Sequence, residues 1–153
     1  MFIQRLIKSL HTYEVNYALV GGYAVALHGA VRGTMDIDLV IQIDELSFSQ
    51  VEKAMAEIGL QPRLPVTASD VFHFREEYIK NRNMIAWSFV NPNNPTEMVD
   101  IIITENLSML ESVTKQAFGL NIQVLSIKDL IAMKRKAGRP QDVEDVKVLE
   151  QLS

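Results

Sequence analysis

The sequence predicts an α/β fold of the α+β kind, a mixed sheet of about five strands with helices packed on it and a helical pair at the C-terminal end. Two observations carry this. Stretches with helical and with strand periodicity interleave along the whole chain, which requires helices laid against a sheet. The 153 residues are 48% hydrophobic, enough for one domain with a real core. No internal repeat, low-complexity tract or linker divides them, so residues 1–153 read as a single domain.

The elements follow in order. Phe2, Ile3, Leu6, Ile7 and Leu10 recur at helical spacing, predicting an amphipathic helix over 2–13. The apolar run 17–20 is a short buried strand ended by Gly21 and Gly22, and 23–29 is a short helix that stops at Gly29. Residues 36–41, "DIDLVI", form a strand, and 45–59 a helix closed by Gly59. Pro62 and Pro65 argue for a loop, and 61–83 fits either a helix or an irregular lid. "MIAWSFV" (84–90) and "EMVDIII" (97–103) are strands, with "NPNNP" between them making a hairpin with a longer loop. A short helix is expected over 108–113 and a strand over 122–126. Ser126 and Asp129 frame a capping box for a helix that Gly138 stops, and Pro140 fits the first turn of the last helix.

Several function classes are excluded or disfavoured. The chain has no cysteine, which removes disulfides, thiolate metal sites and cysteine nucleophiles. His11, His28 and His73 lie too far apart for a compact histidine zinc motif. A net charge of −4 does not suit a dedicated binder of long nucleic acid. No apolar stretch has the length of a membrane span, and the first residues interleave charge with apolar side chains, unlike a signal peptide. A cytoplasmic protein is expected.

Asp36 and Asp38 alternate at the start of an otherwise apolar strand, so they share one face while Ile37, Leu39 and Ile41 share the other. Two ionised carboxylates so placed repel, and a hard divalent cation is the natural resolution. Asp100 sits in a second apolar strand. If that strand neighbours 36–41, three carboxylates converge on one face, the arrangement that two-metal chemistry uses. Taken singly, each feature has a plain reading: a solvated strand end for the acid pair, a tight turn for Gly21–Gly22, a structural acid for Asp100. Their order along the chain is the signal.

With these residues in hand, "LVGGYAVALHGAVRGTMDIDLVI" (19–41) resembles the signature of the polymerase β-like nucleotidyltransferase superfamily: a Gly-Gly turn, an alternating acid pair, and a third acid on a later strand. "RGTMDIDL" and "VLSIKDLIAMKRKAGRPQDVEDVKVLEQL" (124–152) are similar to small bacterial nucleotidyltransferases related to the toxins of abortive-infection systems. The resemblance implies a nucleotidyltransferase fold and transfer of a nucleoside monophosphate from a triphosphate, ATP or another, to a hydroxyl of a protein, an RNA end or a small molecule. It implies Mg²⁺ as cofactor, held by Asp36, Asp38 and Asp100, which are also the catalytic residues. Gly21, Gly22, Arg32, Thr34 and Lys134 are the implied contacts to the nucleotide. Lys134 has the alternative of a solvated lysine beside Arg135 and Lys136, Arg32 that of an ion pair, and Thr34 that of a cap for the strand. Arg139, Asp142 and Asp145 are expected to form a structural ion network between the last two helices, and His28 to be a hydrogen-bonded core histidine. The competing reading is a catalytically inactive nucleotide-binding or partner-binding module. A cognate antitoxin and a second copy of the chain are the candidate protein partners, and the acceptor, the base and the role of 61–83 stay open.

Overall fold

The computed structural model describes residues 1–30 and 36–153. Among the described residues seven α-helices and the strands of one mixed sheet follow in the order α1 (Phe2–Thr12), β1 (Tyr17–Val20), α2 (Gly21–Leu27), β2 (Ile37–Ile41), α3 (Glu45–Glu57), β3 (Gln61–Pro62), α4 (Ala68–His73), α5 (Arg75–Arg82), β4 (Ala86–Asn91), β5 (Asn94–Ile102), β6 (Ser112–Ala117), β7 (Leu120–Leu125), α6 (Ile127–Ala137) and α7 (Pro140–Leu152). The sheet runs β3-β4-β5-β2-β1-β7-β6. The expected mixed α/β architecture is present, with seven strands among the described residues where about five were expected.

The two added strands have separate causes. β3 is a two-residue pairing of Gln61 and Pro62 with Val90 and Phe89 at one edge of the sheet, where proline's missing N–H does no harm. Of the short helix expected over 108–113 only a 3₁₀ turn at Leu107–Met109 forms, and β6 begins at Ser112, within its last two residues. The deciding feature is the turn that follows. Phe118 and Gly119 both have positive φ, 54° and 74°, between the paired Ala117 and Leu120. Such a two-residue turn matches the twist of an antiparallel pair and forces a hairpin. A phenylalanine at its first position gives no glycine or asparagine signal there. In 61–83 both alternatives meet halfway: α4, with a Thr67–Asp70 capping box, and α5 are two short helices broken at Phe74.

One face of the sheet holds the main core. Leu19, Ile37, Leu39, Ile41, Trp87, Phe89, Val99 and Ile101 are buried there, and the register places Leu39 beside Ile101 and Trp87 beside Ile101 on the same side. Helices α1, α3 and α4 cover this face. Phe48 of α3 stacks on Trp87 with ring centroids 5.7 Å apart and meets Phe72 of α4 edge-on at 5.8 Å, geometries that aromatic quadrupoles favour. Because side chains alternate along a strand, Asp38 and Asp100 are turned to the opposite face. That face receives α6, joined to α7 in a helical hairpin.

Candidate active site

The site begins where β1 ends. Val20 is extended, and Gly21 then takes φ +68° to start α2 immediately, two residues earlier than the sequence reading placed the helix. A Cβ built on Gly21 would collide with the Asp38 carboxylate and lie 3.1 Å from its Cγ. Glycine is therefore required twice over, for its backbone angle and for the approach of this turn to an acid. Gly22 is buried in the first turn of α2.

Asp38 lies on β2, antiparallel to β1 and opposite Val20. On its other side β2 runs parallel to β5, with Asp38 and Asp100 as register partners. The sequence condition for convergence, that the two acidic strands be neighbours, is met. Burial, then the charges of Asp100 and Asp36, push the Asp38 carboxyl up to about 6, against the opposing pull of Lys134 and Arg139. Asp36 precedes the strand and is exposed. Among the described residues no three His, Asp or Glu side chains draw together as a set able to hold a metal ion. The two strand carboxylates thus stand closer to one site than the full triplet does.

Asp100 is fixed from the far side. Ser88 is its cross-strand partner on β4, and Ser88 Oγ donates a 2.5 Å hydrogen bond to Asp100 Oδ1. Sequence reasoning missed Ser88. The signal was the hairpin register, but three residues drop out of register between Val90 and Asn91, where the pairing passes from Val90↔Met98 to Asn91↔Asn94, so counting from the turn misaligns the pair.

The cationic side comes from the helical hairpin. Lys134 is buried, with Nζ 3.0 Å from Asp145 Oδ2 and 3.3 Å from Asp142 Oδ1. The expected ion network between the last two helices is present, and Lys134 is at its centre, not solvated beside Arg135 and Lys136. At the start of α7, Asp142 Oδ2 accepts from the Arg139 backbone N–H at 3.1 Å and from Arg139 Nε at 2.7 Å. Burial alone would raise the Asp142 carboxyl, but hydrogen bonds from Arg139 and Lys134 outweigh it and hold the group below the usual carboxylate range. His28 Nε2 donates to the Leu125 carbonyl at 2.8 Å, the packed role expected of it. Arg32 and Thr34 lie outside the described residues.

A cleft of about 490 Å³ joins these parts, a size typical of small-ligand sites. Gly21, Asp38, Lys134 and Arg139 line it, and its walls are largely apolar, with Ile79 of α5, Ile102 of β5, and Leu130 and Met133 of α6. The 61–83 region therefore contributes a wall through Ile79. Arg75 holds that wall to the sheet by donating from Nε to the Ile103 carbonyl at 2.6 Å. Glu105, also in the lining, had no sequence signal.

Comparison with known proteins agrees with this architecture. A family model described as a nucleotidyltransferase of unknown function (DUF6036) matches residues 1–152. A search among curated proteins finds no match. Three similar solved structures are a lincosamide antibiotic adenylyltransferase, LnuA, with lincomycin bound (15% identity, 99% of this chain and 96% of that one, TM-score 0.64); the antibiotic-resistance factor ANT(2'')-Ia (12%, 97% and 80%, 0.63); and a nucleotidyltransferase from Thermotoga maritima (16%, 95% and 88%, 0.62). At these identities the likeness is one of fold.

Proposed function

The chain belongs to the nucleotidyltransferase family of unknown function whose model spans residues 1–152, and from that premise we propose that it transfers a nucleoside monophosphate from a triphosphate to an acceptor hydroxyl with Mg²⁺ as cofactor. The observation that carries this is the register pairing of Asp38 with Asp100 beneath the Gly21 turn.

The donor set suits a hard cation. All candidate ligands are carboxylate oxygens, two of them on neighbouring strands, and burial together with the charges of Asp100 and Asp36 raises Asp38. Mg²⁺ typically takes one or two carboxylates and completes its shell with substrate phosphates and water, so a pair without a third close acid is sufficient. Asp38 and Asp100 would hold it, with Asp36 at the strand entrance. When bound, the ion neutralises phosphate charge and acidifies the acceptor hydroxyl.

The remaining tasks fall to the chain. Gly21 and Gly22 leave room for phosphate oxygens beside the backbone. Lys134 and Arg139 bring positive charge to the same cleft, and Lys134, fixed by Asp142 and Asp145, offers it without reorganisation. Asp100, oriented by Ser88, accepts the proton of the attacking hydroxyl as its oxygen bonds to the α-phosphorus and the bond to pyrophosphate breaks. Positioning and charge neutralisation supply the rate enhancement.

The competing reading of an inactive module is disfavoured by Asp38 itself. A raised carboxyl kept beside two like charges costs stability, and a fold that needed no metal or phosphate gains nothing from it. A role as the toxin of a two-gene pair rests on resemblance alone. The test is thermal unfolding with each of the four ribonucleoside triphosphates, with and without Mg²⁺, beside Asp38→Asn. A ligand at about 100 times its Kd adds about 2.7 kcal/mol, a shift on the order of several degrees for a domain of this size. A Mg²⁺-dependent shift absent from the variant is expected; no shift with any triphosphate overturns the proposal.

A further inference from the structure

The cleft has two chemically distinct parts, and the second points to the base. Asp38, Gly21, Lys134 and Arg139 account for phosphates and cation. Ile102, Leu130 and Met133 give the same cleft an apolar lining, and Thr104, Glu105 and Lys136 line it as well. Glu105 is five residues beyond Asp100 along the chain leaving β5, roughly 16 Å at most in an extended strand. Cationic and glycine positions, apolar walls and polar groups in one cleft match the chemistry of a nucleotide's parts: phosphate, the flat face of a base, and the base edge.

We propose that Glu105 and Lys136 read the edge of the base and select guanine, an inference that rests on the nucleotide reading above. The Glu105 carboxylate is an acceptor only, and its side chain is 21% exposed. Among the described residues its ion-pair partner is Lys136, whose Nζ stands 3.8 Å away, beyond hydrogen-bond distance, so both oxygens keep lone pairs for a ligand. Lys136 is a donor only. A carboxylate beside an ammonium complements an edge with two adjacent N–H donors next to a carbonyl. Guanine presents that sequence at N2, N1 and O6. Adenine and cytosine offer one amino group beside a ring nitrogen that accepts, and uracil a single N–H between two carbonyls. Only guanine uses both carboxylate oxygens, and bidentate, charge-assisted pairs are the discriminating ones.

The experiment is calorimetric titration of the full chain with GTP, ATP and inosine triphosphate in Mg²⁺, repeated on Glu105→Gln. Inosine triphosphate keeps N1–H and O6 and lacks the 2-amino group. GTP is expected to bind about tenfold or more tighter than inosine triphosphate or ATP, the scale of one bidentate base contact. In Glu105→Gln the ratio of GTP to inosine triphosphate falls toward one, while binding of inosine triphosphate and the melting temperature change little. Equal binding of the three triphosphates, a preference for ATP, or a GTP preference that survives in the variant overturns the inference and leaves the nucleotidyl-transfer proposal standing. No binding of any triphosphate overturns both.

Discussion

Asp38 and Asp100 are register partners across the parallel β2–β5 pair, and this places two carboxylates side by side in a structure that buries one of them. The pairing works against the protein when no cation is present. Asp38 is raised from 3.8 to about 6, by burial first and then by the charges of Asp100 and Asp36. A raised folded-state value means that the folded chain binds more protons than the unfolded one between those two pH values, so stability falls as pH rises through that window. Metal-free protein is therefore expected to lose up to about 3 kcal/mol between about pH 4 and pH 6 through this group. Asp38→Asn should flatten that part of the profile and raise stability at pH 7. Urea unfolding across pH in EDTA measures it; a variant less stable than the parent at pH 7 contradicts the assignment.

Gly21→Ala combines a disfavoured positive φ with a Cβ driven against the Asp38 carboxylate. The conformational cost alone is about 1–3 kcal/mol, and the collision adds to it. The variant should melt lower and lose the triphosphate-dependent shift. A glycine-to-alanine change at Gly119, where φ is also positive and no atom lies within 4 Å of the new Cβ, is the control: it should melt lower by a smaller amount and keep the shift.

Ser88→Ala removes the 2.5 Å hydrogen bond to Asp100 and leaves the fold intact. Triphosphate affinity should change little, while pyrophosphate release falls by about 10- to 100-fold, the scale of one hydrogen bond to a charged group. Ser88→Thr keeps the hydroxyl and should recover most of the activity. Matching losses in binding and turnover would mean that Ser88 does not orient the base.

Lys134→Met takes the ammonium away from Asp142 and Asp145, both buried. Removing one partner of a buried ionic cluster typically costs about 3–5 kcal/mol. Arg139 keeps its bonds to Asp142, so the lower end of that range is expected by denaturant unfolding. A loss below about 1 kcal/mol would show that Lys134 is held for the ligand and contributes little to the joint between α6 and α7.

The parts of this site that are local in sequence were legible. A strand ending in Gly21–Gly22, alternate acids on the next strand, and an acid inside the apolar run around Asp100 can each be read from periodicity. What escaped depends on pairing between distant segments. Ser88 meets Asp100 only through a register that slips near Asn91. Lys134 is named through the resemblance alone, and its enclosure by Asp142 and Asp145 depends on α7 lying over α6. β6 was hidden because it is an edge strand with most side chains exposed, and because Phe118 occupies a turn position that sequence rules reserve for smaller residues. Arg32 and Thr34, read from the same signature, fall in the segment that the structure does not describe.

The site draws its working groups from four separated places: the turn at Gly21, the strand at Asp38 and the helix at Lys134, which line the cleft, and the hairpin at Asp100, the register partner of Asp38. None of these neighbours another in sequence, and Lys134 takes its position only when α7 is folded against α6. During synthesis, a chain emerged as far as β5 would already carry every acid yet lack the ammonium, the Leu130–Met133 wall and the cap on α7. Long-range assembly of this kind comes late in folding. Nucleotide handling is then a property of the finished molecule alone, and a fragment, a stalled chain or a locally opened form is chemically silent.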